Sequence, residues 1–196
     1  MDGQAWNPRL RMVATSGLSC GKPKSDYPFL SMTADSIDSF ASGRLMKEQQ
    51  TILLVDDSES DIFLLCKAFT KAEFNPSVQE VHNGEEAIAY LAGDGAYSDR
   101  AQFPLPAMML LDLNMPRKNG FDVLTWLRAQ PGLKRLTVVM MTASMRKEDV
   151  ARAFDLGANS FLVKPSGMEQ LVAMVRFIRD WTQFNQFPLL SEVARK

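Results

Sequence analysis

The sequence predicts an α/β fold in which a five-stranded parallel sheet is covered by helices on both faces. Three observations lead there. Short apolar runs alternate with longer segments of helical period, there are five of each, and four of the runs end on a polar or charged side chain. With 196 residues, 46% of them hydrophobic and 23% charged, the chain can bury one ordinary core with length to spare.

Residues 1–49 are rich in Ser, Gly, Pro and Asp, show no sustained period, and read as a flexible leader; Met32 and Met46 are alternative translation starts. The folded domain is expected over 50–187, and 188–196 remain as a short tail. The first strand, Ile52-Leu53-Leu54-Val55, runs into Asp56 and Asp57. Asp57 and Ser58 are good N-cap residues, and Ile62, Leu65, Cys66 and Phe69 keep helical spacing through about Lys71. A short strand follows at Ser77 to Val81. Asn83-Gly84 opens a second helix with Ala87, Ile88 and Leu91 on one face. The third strand, Met108-Met109-Leu110-Leu111, ends at Asp112, and a helix from Phe121 places Val123, Leu124 and Leu127 together. The fourth strand, Leu136 to Met141, leads to Thr142; its helix spans about Lys147 to Leu156 and stops at Gly157, a residue suited to the left-handed position after a helix. Ser160 to Val163 form the last strand before Lys164, and a final helix runs from about Gly167 to Gln183.

Strict alternation of strand and helix calls for right-handed crossovers and, in the flavodoxin-like doubly wound arrangement, a strand order of 2-1-3-4-5. Ligands bind such sheets where the order reverses, beyond the carboxyl ends of strands one and three, which here carry Asp56, Asp57 and Asp112. Converging carboxylates raise each other's pKa, so a trio of them points to a hard divalent cation such as Mg²⁺, and an aspartate beside Mg²⁺ can accept a phosphoryl group. The hydroxyl of Thr142 and the ammonium of Lys164 suit phosphoryl oxygens.

From about Thr51 to about Phe187 the chain resembles the receiver domain of two-component response regulators, through Val55-Asp56-Asp57, Leu110-Leu111-Asp112-Leu113-Asn114-Met115-Pro116, Thr142-Ala143 and Val163-Lys164-Pro165. The resemblance implies that Asp112 is the phospho-acceptor and that Asp56, Asp57 and Asp112 bind Mg²⁺ with the Asn114 backbone carbonyl. It also implies that Lys164 binds the phosphoryl group, that Thr142 moves toward it, and that Phe161 rotates into the space vacated. Such a protein is a switch rather than an enzyme, promoting only its own phosphoryl transfer and autodephosphorylation. Its donor would be a sensor histidine kinase or a histidine phosphotransfer protein. The extended Gly93-to-Asp99 loop and the aromatic carboxyl end are similar to those of phytochrome-associated response regulators, which implies a phytochrome-type kinase. Other readings are a phosphate shuttle in a phosphorelay, an unphosphorylated interaction module, and a hydrolase using an aspartyl intermediate; for the last, Asn114 stands where a second aspartate is needed.

The formal net charge of −1 offers no general attraction to nucleic acid or anionic lipid. Only about a dozen residues follow the final helix, too few for a DNA-binding output domain, so output by protein contact is expected. Cys20 and Cys66 form no disulfide framework, and no apolar run approaches the roughly 18 residues of a membrane helix, so a cytoplasmic protein is expected. His82, the only histidine, reads as a turn residue beside Asn83-Gly84.

In the final helix, Met168, Leu171, Val175 and Ile178 make one stripe expected to cover the sheet. Met174, Phe177, Trp181 and Phe184 make a second, expected to be a homodimer or partner surface. Because the leader lacks apolar periodicity, deleting residues 1 to 45 should leave melting temperature and phosphotransfer nearly unchanged. A large fall in melting temperature by calorimetry would show instead that the leader docks on the core.

Overall fold

Alternation within the three central strands decides the architecture. In a computed structural model, which describes residues 51–143, 146–188 and 190, five parallel strands pair in the order β2-β1-β3-β4-β5. They are β1 (Thr51–Val55), β2 (Ser77–Val81), β3 (Met108–Asp112), β4 (Thr137–Thr142) and β5 (Ser160–Val163). Every residue of β1, β3 and β4 is buried, because both sheet faces are covered. Leu53, Val55, Met109, Leu111, Val138 and Met140 point to one core; Ile52, Leu54, Met108, Leu110, Val139 and Met141 point to the other. The edge strands β2 and β5 are only partly buried.

Helices α1 (Glu59–Lys71) and α5 (Met168–Phe184) cover the second core, while α2 (Gly84–Ala92), α3 (Gly120–Ala129) and α4 (Lys147–Asp155) lie over the first. Side chains start the first three helices. Ser58 caps α1 by accepting the Asp61 N–H, Asn83 caps α2 by accepting that of Glu86, and Asn119 and Asp122 form a reciprocal capping box on α3. His82 is exposed, and its backbone N–H donates to the Glu86 carboxylate at 2.9 Å, as suits a turn residue. Gly157 has a φ of +91° after α4, the left-handed geometry expected of it. Among the described residues no helix is long and apolar enough to cross a membrane. The leader, 1–49, lies outside the described residues, as does most of the tail.

The second stripe of α5 does not form one open surface. Met174 and Trp181 pack against the core, Trp181 with its ring edge-on to Phe187 at 6.1 Å, whereas Phe177 and Phe184 are 61% and 87% exposed. At about 100° per residue, Met174 and Trp181 fall on the flank of the buried stripe, and only Phe177 and Phe184 lie opposite it. Phe187 and the helix flank therefore cover one another at Trp181.

The loop from α2 to β3 is held by contacts that periodicity does not reveal. Tyr90, fully buried on α2, donates to the Pro104 carbonyl at 2.6 Å and meets Tyr97 and Phe103, while Arg100 donates to the carbonyls of Tyr90, Leu91 and Phe103. Burial pushes the Tyr90 phenol from 10.0 up to about 12, with Arg100 opposing and Tyr97 adding to the rise. The folded chain thus keeps a proton that the unfolded chain loses, so this group costs stability as pH rises from 10.0 toward 12. Tyr90→Phe should lose about 1 kcal/mol at neutral pH with the Pro104 bond. The gap between the two proteins should then shrink across the alkaline window in urea titrations; a gap that stays constant there would exclude the buried phenol as its cause.

Candidate functional site

Parallel register brings four strand ends to one point. Val55 pairs with Leu111, so Asp56 and Asp112 emerge side by side; Thr142 pairs with Val163, so Lys164 emerges beside Thr142. Backbone bonds carry the ladder past the strands: Asp56 N–H to Val81 at 3.2 Å, Leu113 N–H to Met141 at 3.1 Å and Lys164 N–H to Thr142 at 2.8 Å. Gly120 lets α3 start close beneath this point, since a Cβ there would collide with the Asp112 carbonyl.

The Lys164 ammonium sits 2.6 Å from Asp56 Oδ2, 2.6 Å from Asp112 Oδ1 and 3.0 Å from Asp61 Oδ2. The side chains of Asp112, Asp56 and Lys164 are only 7%, 13% and 15% exposed. An ammonium has three donors, and here each faces a carboxylate. Further bonds fix the two inner aspartates. Asn114 N–H donates to Asp112 Oδ2 at 2.6 Å and Ser58 N–H to Asp56 Oδ1 at 3.0 Å, while the Asn114 amide donates to Thr142 Oγ1 at 3.2 Å. Thr142 is fully buried.

Burial raises the Asp56 carboxyl above its ordinary 3.8, against bonds from Lys164 and Ser58, with Asp112 adding repulsion. Burial also opposes the charge on Lys164, yet hydrogen bonds and attraction from Asp112 and Asp56 hold its pKa above the ordinary 10.5. The two directions are compatible: the single ammonium is shared by mutually repelling carboxylates, whereas each carboxylate has only a share of one cation.

Asp56 and Asp112 converge, but Asp57 is exposed, and among the described residues no three acidic, histidine or cysteine side chains are grouped to hold a metal. The donor set still fits a hard divalent cation, because Mg²⁺ takes oxygen ligands and typically only one or two carboxylates, with water and phosphate completing the shell. Two nearly buried carboxylates already joined by a cation meet that description. Phe161, in β5, is half-buried and packs on the face of α2, α3 and α4. Ser144, which follows Ala143 in sequence, lies outside the described residues. Asp61 was not anticipated. In sequence it is one more acidic residue in a first helical turn, and only the folded position of Lys164 gives it a partner.

A family model, the response regulator receiver domain, matches residues 52–176. Response regulator Rcp1 of Synechocystis sp. is 33% identical over 132 residues, 67% of this chain and 88% of Rcp1. The crystal structure of the phosphorylated cyanobacterial phytochrome response regulator RcpA superposes with a TM-score of 0.66 at 32% identity, over 72% of this chain and 99% of RcpA. The Mn²⁺-bound form of Rcp1 gives 0.64 at 33% identity, over 71% and 99%.

Removing the shared ammonium tests the electrostatics. In metal-free buffer Lys164→Met should cost about 3 kcal/mol, because it leaves Asp56 and Asp112 without their nearest countercharge. The Lys164 contribution is present at neutral pH and lost only above 10.5, as the folded-state ammonium deprotonates. Denaturant titrations at neutral pH check this; a variant as stable as the wild type would show that the carboxylates need no compensation.

Proposed function

The chain belongs to the response regulator receiver family, and on that premise we propose that it is a phosphorylation-dependent switch whose phospho-acceptor is Asp112. As a receiver domain it is a signalling module of a two-component system. The observation that carries the residue assignment is the placement of Asp112 at the switch point, nearly buried, with Lys164 and Asp56 against its carboxylate.

Asp112 attacks phosphorus in line with the bond to the donor. A bond forms between its carboxylate oxygen and phosphorus as the bond to the donor's histidine nitrogen breaks, and the electron pair returns to the imidazole. The Asn114 N–H holds the other carboxylate oxygen, so the attacking atom keeps its direction. The residues that would hold Mg²⁺ are Asp56, Asp57 and Asp112, with the Asn114 backbone carbonyl. When bound, that cation neutralises charge developing on the phosphoryl oxygens. Lys164 passes from carboxylate to phosphoryl oxygen, and the Thr142 hydroxyl turns toward the same group, leaving space into which Phe161 rotates.

The donor is a sensor histidine kinase, or a histidine phosphotransfer protein in a relay. Similarity to the phytochrome response regulator RcpA favours a phytochrome-type kinase. Output runs through protein contact, including association of two copies in which Phe177 and Phe184 are the exposed aromatics of α5.

Labelling by a small phosphodonor in the presence of Mg²⁺ should give one phosphate per chain, labile to acid and base, which Asp112→Asn abolishes. Persistent labelling of that variant would move the acceptor elsewhere. No labelling of the wild type would indicate an interaction module, and sustained turnover a hydrolase.

A further inference from the structure

We propose that Asp61 is a positioning residue that holds the Lys164 ammonium when a divalent cation takes over Asp56 and Asp112, and so raises the affinity of that pair for the cation. The inference rests on the metal-assisted phospho-acceptor reading above.

Lys164 and an incoming cation compete for the same oxygens. The ammonium lies 2.6 Å from both inner carboxylates, so a second positive charge bound to them repels it. To yield, it must exchange those bonds for others, and its nearly buried head has little access to water. Asp61 supplies the alternative. It sits in the first turn of α1 with its Oδ2 already 3.0 Å from Nζ, the longest of the three contacts, and its side chain is 43% exposed. Among the described residues its carboxylate has no other hydrogen bond or ion pair. Nor is that side chain spent on starting the helix: the Asp61 N–H is satisfied by Ser58 Oγ, and Ser58 is the cap. The ammonium can therefore swing outward on Asp61 without leaving the site, and return toward an incoming phosphoryl group.

A bland alternative is that Asp61 only favours the amino end of α1 through the helix dipole and attracts any cation at long range. That contribution does not depend on Lys164. A double-mutant cycle on Mg²⁺ affinity separates the two, measured by calorimetry on the full chain with Mg²⁺ alone. Asp61→Asn should weaken Mg²⁺ binding roughly threefold, in keeping with a partly exposed charge pair. In a Lys164→Gln background the same change should have little effect, and Asp61→Glu should restore most of the affinity. Equal losses in both backgrounds would overturn the proposal. If Lys164→Gln does not fold, the Lys164 ammonium can be followed by ¹⁵N resonance during a Mg²⁺ titration. Slow exchange retained in the wild type and lost in Asp61→Asn supports the holding role; identical behaviour refutes it. Absence of coupling in a protein that binds Mg²⁺ and is labelled at Asp112 removes the role of Asp61 alone, whereas a wild type that binds no Mg²⁺ removes the underlying reading as well.

Discussion

One ammonium shared by three carboxylates organises the end of the sheet where the proposed site lies. Lys164 reaches Asp56 at the end of β1, Asp112 at the end of β3 and Asp61 at the start of α1, so a single side chain ties together segments about 50 to 110 residues apart in sequence. Burying that many charges is expensive, and one cation cannot balance three anions. Burial raises the Asp56 carboxyl above its ordinary range, and repulsion from Asp112 adds to the rise. A site left with excess negative charge and few routes to water attracts a further cation. The resting arrangement and the proposed chemistry thus share one electrostatic cause.

Small local devices make this arrangement possible. Ser58 serves twice, its hydroxyl capping α1 and its N–H holding Asp56, so the first helix and the first acidic residue are set by one position. Gly120 allows α3 to begin against the Asp112 carbonyl. Arg117, three residues earlier, adopts a positive φ of 66° that non-glycine residues rarely take, so some backbone strain lies in the loop joining Asp112 to α3.

The sheet was legible because its causes are local. Fully buried parallel strands appear as apolar runs, and the residues ending them appear as breaks in those runs, which is why Asp56, Asp112, Thr142 and Lys164 could be named with the strand order. What was illegible depends on distance. Asp61 acquires meaning only from Lys164, which enters from the opposite end of the chain. Tyr90 lies outside the apolar face read for α2, and its partner is a carbonyl 14 residues away. Met174 and Trp181 sit on the border of a stripe, where periodicity cannot decide between solvent and the cover of a neighbouring segment such as Phe187.

Helix α4 is attached through its carboxyl end. Arg128 donates to the carbonyls of Leu136 and Gly157 and to the Asn159 side chain, and Asn159 in turn pairs with the backbone of Val138. These bonds clamp the start of β4, the start of β5 and the carboxyl end of α4 to α3. Among the described residues the opposite end of α4 shows no such cluster: Arg146 stands at its N-cap without a side-chain capping bond, and Ala153 is the one residue of the helix that is fully covered. Loosely packed segments with few buried contacts open at the lowest cost. By that measure α4, with one fully covered residue, is held chiefly through the Arg128 cluster, while β1 and β3, buried on both faces, keep Asp56 and Asp112 in place.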